Sequence, residues 1–307
     1  MLRETPFDFE LKPVKGSAGL LDAVSGVRLD VTVSGAGILK RHEGLLFKLR
    51  GALGVALGAT ELDNYVPNAT VKMDAAHLLF AAKPKILIEN ILTEIAKPYA
   101  LRASRKGQDL VFTILLFGRA TLFEAQIAEA LEQALGLFLD WRSLAKHVNV
   151  PGLVIKPGNL KCMVRPLAIL GSVTAPSAAT MSFVTGIEMN SGQSNSSINV
   201  QMICETLFAR AAVLAPWFGV KVDFDRNVLR QAFAALEARI ETDAKAEFKI
   251  RNSSRSGDQW QSAALRADVY LEGDLEAVWP LLRFGELVHL GRSAVTGLGR
   301  YVLINEN

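Results

Sequence analysis

The sequence is poor in the residues and patterns that mark several common classes of protein. Two cysteines, Cys162 and Cys204, stand far apart among 307 residues, so the chain has neither a disulfide framework nor a C-x-x-C zinc or redox motif. No stretch approaches the roughly 20 apolar residues that cross a bilayer. The acidic start of the chain, MLRETPFDFELKP, also lacks the apolar segment of a secretory signal. These absences predict a protein of the reducing cytoplasm with no membrane association.

Motifs of the common nucleotide-dependent enzymes and hydrolases are missing as well. The chain has no G-x-G-x-x-G after a predicted strand, no Walker motif and no G-x-S-x-G. No group of histidine, cysteine and acidic residues has the spacing of a metal site. A small-molecule α/β enzyme is therefore disfavoured, and we expect neither a metal nor a cofactor.

The composition is that of a folded protein with an uneven distribution of charge. Half of the residues are apolar and 21% are charged, which suffices for a packed core, and the net charge is only +3. Lysines and arginines concentrate in residues 83–106 and 249–266. Each segment would suit contacts with phosphates or would be a solvated surface.

The hydrophobic pattern predicts an α+β fold in two parts. Strands are predicted at 27–33, 110–117, 164–173, 265–271 and 300–304, and helices at 45–57, 122–135, 200–215 and 227–248, with a short helix capped by Asp274 that ends before Gly285. The order strand–helix–strand recurs in each half, and a linker rich in proline and glycine occupies 150–159. We therefore predict tandem ferredoxin-like (RRM-like) domains with antiparallel sheets, one at 1–155 and one at 156–307. The second carries an inserted helix and a C-terminal glycine-rich loop.

The segment 285-GELVHLGRSAVTGLGRY-301 is the most informative part of the chain. Its glycines permit positive φ angles and leave backbone N–H groups uncovered, so a sugar–phosphate backbone could approach closely. Arg292 and Arg300 flank the loop and could pair with phosphates. On glycine content alone, a tight turn that enters an edge strand explains the segment equally well.

This segment resembles the C-terminal glycine-rich signature of the Cas-six endoribonucleases, members of the CRISPR repeat-associated (RAMP) superfamily. Family members end in strings close to "LGE-hydrophobic-LHVGK-TTFGLGRY". The chain matches at Gly285, Glu286, His289, Gly291, Gly297, Leu298, Gly299, Arg300 and Tyr301, and it departs at Arg292, Ala294 and Val295.

Three further segments resemble the same family in order and spacing. They are 38-ILKRHEGLLFKLRGALGVAL-57, similar to an early "LRGALG" block; 110-LVFTILLFGRATLF-123, similar to an "LTLFG" strand and turn; and 251-RNSSRSGDQW-260, similar to an "RYSSRQ" block. The resemblance spans residues 25–305, and it implies the tandem ferredoxin-like fold that the pattern also predicts. The chain also resembles divergent members of the family that come from type IV CRISPR systems.

The resemblance implies an RNA-cutting chemistry that needs no metal. Family members bind the hairpin of a CRISPR repeat and cut at its 3′ base. The neighbouring 2′-OH attacks the scissile phosphate and leaves a 2′,3′-cyclic phosphate and a 5′-OH. Such a reaction needs a base, an acid and cations that stabilise the charged transition state.

Candidate site residues follow from the matched blocks. The resemblance implies that a histidine on or near the first helix is the base in many members, and His42 is the positional candidate. A histidine can exchange protons near neutral pH. Some divergent members use arginines instead, and Arg41 and Arg50 lie close by. Our catalytic candidates are therefore His42, Arg41 and Arg50, and our RNA-binding candidates are Lys40, Lys48, Arg251, Arg255, Gly291, Arg292, Gly297, Gly299 and Arg300.

A RAMP-fold subunit that binds CRISPR RNA without cutting it is the alternative. The glycine-rich loop and the basic blocks would serve binding and cleavage equally well. Under both alternatives the expected partner is the CRISPR repeat RNA. Other Cas effector subunits are further expected partners.

Overall fold

The computed structural model describes residues 11–41, 44–59, 74–80, 85–88, 91–94, 96–150, 153–167, 174–188, 199–242, 247–252, 259–291 and 293–306. At residues 41, 85–88, 91–94, 188, 242, 247–252 and 259–265 the description is limited to the backbone. Two compact units divide the chain: the first contains Ser25–Ala168, and the second contains Leu11–Val24 together with Ile169–Asn307. The division into two domains at residues 155 and 156 stays a prediction.

The strands and helices follow one another in this order. The strands are β1 (Lys12–Lys15), β2 (Gly26–Val33), β3 (Lys85–Ile88), β4 (Ile91–Glu94), β5 (Tyr99–Lys106), β6 (Asp109–Phe117), β7 (Met163–Pro166), β8 (Ala178–Phe183), β9 (Ile187–Glu188), β10 (Val220–Asp223), β11 (Glu237–Thr242), β12 (Glu247–Asn252), β13 (Gln259–Leu265), β14 (Ala267–Glu272) and β15 (Tyr301–Asn305). The helices are α1 (Gly16–Ala23), α2 (Leu45–Ala56), α3 (Ala75–Phe80), α4 (Glu124–Gln133), α5 (Trp141–His147), α6 (Val200–Leu214), α7 (Arg226–Ala234) and α8 (Trp279–Val288).

A four-stranded antiparallel sheet with the order β5-β6-β2-β7 forms the centre of the first unit. Leu29, Val31 and Val33 of β2 are fully buried on one face, because successive side chains of a strand point to opposite faces. Helix α4 packs against β2 and buries Ile127 and Leu131. The predicted strands at 27–33 and 110–117 are confirmed.

The second unit contains a four-stranded antiparallel sheet with the order β11-β14-β8-β15. Helix α6 packs against α7 and α8. The early strand β1 pairs in parallel with β10, and the Ser17 hydroxyl of α1 donates to the Ala277 carbonyl at 3.0 Å. Residues 11–24 therefore pack with elements that follow them by two hundred residues. The antiparallel sheets and helices of both units confirm the predicted α+β fold class.

The prediction of one helix over residues 227–248 is wrong. Helix α7 ends at Ala234, and β11 follows it and pairs with β14. In β11 the exposed residues Glu237, Arg239 and Glu241 alternate with half-buried Ala238 and Ile240. That alternation is the period of a strand, and pairing with β14 overrides the helical spacing of the apolar residues.

The short helix near the C-terminus also differs from its prediction. It begins at Trp279, well after Asp274, and it continues through Gly285 to Val288. Pro280 lies in the first turn, where a backbone N–H has no partner within the helix, so it causes no irregularity. None of the helices in the described part of the chain is long and apolar enough to cross a membrane.

Candidate functional site

The residues predicted to act in catalysis lie at and before the start of α2. Arg41 ends a 3-10 turn, Gly37–Arg41, in which Lys40 is half-buried. The side chain of Arg41 and the whole of His42 lie outside the described residues. Arg50 lies in the second turn of α2 and is the catalytic candidate whose surroundings the structure describes.

The side chain of Arg50 is held by two aromatic residues. Its Nε donates to the Tyr99 hydroxyl at 3.1 Å, and its guanidinium carbon lies 4.9 Å from the centroid of the Phe80 ring. Tyr99 is fully buried, and this burial raises the pKa of its hydroxyl, although the adjacent Arg50 opposes the rise. The terminal nitrogens of Arg50 make no hydrogen bond to any residue that the structure describes.

Lys97 lies near Arg50 and Phe80. Sequence reasoning did not distinguish it from the other basic residues of the segment 83–106. Its Nζ donates to the Phe80 carbonyl oxygen at 3.4 Å. Burial, together with the smaller effect of the positive charge of Arg50, lowers the pKa of Lys97 to about 8. We refer to Arg50, Phe80, Lys97 and Tyr99 together as the Arg50–Lys97 site.

Lys48 projects from α2 toward a different neighbour. Its Nζ donates to the Ser143 hydroxyl of α5 at 3.1 Å. Lys48 thus fixes α2 to α5, whereas Arg50 fixes α2 to α3 and β5.

The glycine-rich segment owes several of its glycines to the conformation of the backbone. Gly291, Gly297 and Gly299 adopt φ angles of 85°, 82° and 69°, which other residues rarely adopt. A Cβ atom on Gly299 would overlap the carbonyl oxygen of Leu290 and would lie 2.6 Å from its carbonyl carbon. Close backbone packing therefore requires glycine at position 299.

The backbone amides of this segment donate mostly within the protein. The Gly297 amide donates to Ala294 at 2.9 Å, and the Gly299 amide donates to Gly186 at 2.9 Å. The Arg300 amide donates to the hydroxyl of Thr185 at 3.0 Å. Because these three donors are engaged, a phosphate at this segment would have to be held by other groups.

Other residues of the signature join α8 to β15. Glu286 accepts a hydrogen bond from the Leu303 amide at 3.1 Å and pairs with Arg283 at 2.6 Å. The buried Tyr301 hydroxyl donates to the Leu282 carbonyl, and a Cβ atom on Gly285 would overlap that hydroxyl. Much of the signature is thus explained by packing within the second unit.

A buried arginine adds to this packing. Arg210 of α6 is only 8% exposed, and its Nη2 donates at 3.2 Å to the carbonyl of Val288, the last residue of α8. Burial lowers the pKa of Arg210 to about 10. Sequence reasoning did not identify this residue, because nothing local distinguishes it from an exposed arginine.

Arg226, Arg230 and Arg239 lie on two different elements of the second unit. Arg226 and Arg230 of α7 both pair with Glu205 of α6, whereas Arg239 lies on β11 with its guanidinium 4.6 Å from the Tyr270 ring centroid. Among the predicted RNA-binding residues, the side chain of Arg251 and all of Arg255 and Arg292 lie outside the described residues. Over the described ranges, no group of three or more histidine, cysteine and acidic residues could hold a metal ion.

Comparison with known proteins adds sequence and fold similarity. Residues 179–301 match the family model of the CRISPR-associated endoribonuclease Cas6. A solved Cas6 from Thermus thermophilus has a TM-score of 0.50 and 13% identity, covering 92% of this chain and 98% of that chain. No curated protein sequence matches the chain.

Two other solved structures have lower scores. A Cas6 product complex has a TM-score of 0.47 and 13% identity, covering 91% of this chain and 99% of that chain. The type IV Cas6 crRNA endonuclease Csf5 has a TM-score of 0.41 and 12% identity, covering 92% and 100%. At 13% identity, the likeness to the Thermus protein shows a shared fold. Over residues 179–301 the chain is similar in sequence to the CRISPR-associated endoribonuclease Cas6 family.

Proposed function

We propose that this protein is an endoribonuclease that binds the hairpin of a CRISPR repeat and cuts precursor CRISPR RNA without a metal ion. The match of residues 179–301 to the Cas6 endoribonuclease model is the observation that carries the proposal. The orientation of Arg50 in the first unit supports it, because phosphoester cleavage needs a cation near the scissile phosphate.

The proposed reaction is an internal transfer at the scissile phosphate. A base removes the proton of the neighbouring 2′-OH, whose oxygen attacks phosphorus, and the bond to the leaving 5′-oxygen breaks as that oxygen receives a proton. The products are a 2′,3′-cyclic phosphate and a 5′-OH. Our candidate base is His42, because histidine titrates near neutral pH.

An arginine-based site is the second version of this mechanism. Arg41 and Arg50 would stabilise the extra charge of the transition state. The described geometry suits Arg50 for that role, since Tyr99 and Phe80 restrict its side chain while its terminal nitrogens keep their donors for a phosphate. A guanidinium fixed before the substrate arrives loses little entropy on binding.

The other RNA contacts of the proposal lie in both units. Lys40 and Lys48 accompany the candidate catalytic residues. Arg251, Arg255, Arg292 and Arg300 would contact the repeat through the second unit, and the glycines at 291, 297 and 299 would shape the loop that the RNA approaches. Association with other Cas subunits is part of the proposal and is tested by co-purification from a cell that contains them.

The decisive experiment incubates purified protein with a labelled repeat RNA in the presence of EDTA. We expect one cut at the 3′ base of the hairpin, with a cyclic phosphate on the upstream product. Tight and specific binding without any cut would favour the alternative function, a CRISPR RNA-binding subunit that does not cleave. Absence of specific binding would refute both functions.

A further inference from the structure

The Arg50–Lys97 site brings together a cation from α2 and a cation from the segment just before β5. The Arg50 guanidinium lies over the Phe80 ring, and Lys97 Nζ reaches the carbonyl oxygen of the same residue. The Tyr99 hydroxyl fixes Arg50 from β5 and lies 3.5 Å from the carbonyl oxygen of Leu79. Both cations are half-buried.

Several arginines in the described part of the chain pair with carboxylates. Arg28 pairs with Asp30 at 2.7 Å, Arg283 pairs with Glu286, and Glu205 holds two arginines. Within the described ranges, by contrast, no ion pair joins Arg50 or Lys97 to a carboxylate. Two adjacent like charges that have lost part of their water are unfavourable unless an anion neutralises them.

We propose that Arg50 and Lys97 together bind one phosphate group of the RNA backbone, with Phe80 and Tyr99 as the residues that position Arg50. This inference rests on the proposed function, and it adds Lys97 and a specific ligand to it. An RNA phosphate fits because it is singly charged, carries several acceptor oxygens and can take hydrogen bonds from a guanidinium and an ammonium at once.

Binding at this site is coupled to a proton. Lys97 is the group that titrates, because burial and Arg50 lower its pKa to about 8. The Tyr99 hydroxyl stays protonated since its pKa is raised. His77 of α3 pairs at 2.8 Å with Asp74, the residue before that helix. A bound phosphate favours the charged ammonium, so above pH 8 the protein takes up a proton when it binds RNA.

The test measures affinity for a repeat RNA with a 2′-deoxy substitution at the scissile nucleotide, which permits binding without cleavage. Because only about a tenth of Lys97 is protonated one unit above its pKa, we expect affinity to fall about tenfold between pH 7 and pH 9. Lys97→Met should bind more weakly at pH 7 and lose that pH dependence. Lys97→Arg should bind like the natural protein at pH 7 and remain tight at pH 9.

A salt series gives an independent readout of the phosphate contact. Each lost contact lowers the slope of log affinity against log salt by about 0.7 to 0.9, and we expect this reduction for Lys97→Met at pH 7. Lys106→Met, an exposed lysine at the far end of β5, is the control and should keep the pH dependence of the natural protein. Thermal unfolding of each variant shows that it is folded, and Lys97→Met should be at least as stable as the natural protein.

The outcomes separate this inference from the proposed function. If the natural protein binds and cuts repeat RNA while Lys97→Met keeps the same affinity, salt slope and pH dependence, the phosphate site is wrong and the function stands. If the natural protein shows no specific binding of repeat RNA, the proposed function and the phosphate site both fail.

Discussion

Alanine at position 299 is expected to destabilise the protein far more than alanine at position 107. Both glycines adopt left-handed backbone, with φ angles of 69° and 62°. A Cβ atom at Gly107 would meet no atom within 4 Å, whereas at Gly299 it would overlap the Leu290 carbonyl oxygen and lie 2.9 Å from the Leu290 nitrogen. Both substitutions therefore introduce backbone strain, and only the one at position 299 adds a steric clash.

The size of the effect follows from these two contributions. Left-handed backbone costs an L-residue roughly 1–2 kcal/mol, which is our expectation for Gly107→Ala. The collision at Gly299 involves backbone atoms, and Leu290 also donates its amide to the Gly299 carbonyl at 2.8 Å, so the neighbour cannot move without losing that bond. Overpacking of this kind adds about 1–3 kcal/mol, so Gly299→Ala should cost about 2–5 kcal/mol in total.

Urea denaturation of both variants and of the natural protein measures this difference. We expect a lower midpoint for Gly299→Ala than for Gly107→Ala, with similar slopes. A difference in unfolding free energy below about 0.5 kcal/mol between the two variants would mean that the close backbone packing does not require glycine there. Any loss of RNA binding in Gly299→Ala would then need another explanation.

Four further predictions follow from the site and the fold. If histidine is the base, His42→Ala should slow single-turnover cleavage by about 10²–10⁴-fold and leave RNA binding intact. Normal cleavage by His42→Ala together with loss of cleavage in Arg50→Ala would favour the arginine version. A 2′-deoxy substitution at the scissile nucleotide should abolish cleavage, which product analysis measures. A cut of the deoxy substrate at the same position would mean that the mechanism is wrong. Glu286→Ala should cost about 1–3 kcal/mol in urea denaturation because it leaves a strand amide and Arg283 without their acceptor, and an unchanged midpoint would contradict this. Because the pKa of Lys97 is about 8 in the folded protein and 10.5 as a free group, the unfolded chain binds more protons at Lys97 between these values. The unfolding free energy of the natural protein relative to that of Lys97→Met should therefore rise from pH 8 to pH 10.5 in pH-dependent denaturation, and an unchanged difference would contradict this.

Local pattern was sufficient where an element buries its own apolar residues. The apolar run at 110–117 predicted β6, and the helical spacing of apolar residues predicted α2 and α6. In each case the apolar residues that become buried lie within one continuous segment. It failed at 227–248, where the spacing of apolar residues agrees with a helix but β14 provides a pairing partner for β11. Pairing with a distant strand cannot be read from the segment itself.

The sequence by itself determined the α+β class, the glycine-rich signature and the resemblance to RNA-processing proteins, because these depend on local periodicity and on the order of motifs. Only the tertiary structure showed that Gly285, Gly299 and Glu286 of that signature serve packing between α8, β15 and the loop. It alone brought Arg50 and Lys97 together at Phe80, from positions up to 47 residues apart in the sequence. Electrostatic interaction depends on distance in space and on the loss of water around each charge, and neither quantity exists until the chain is folded.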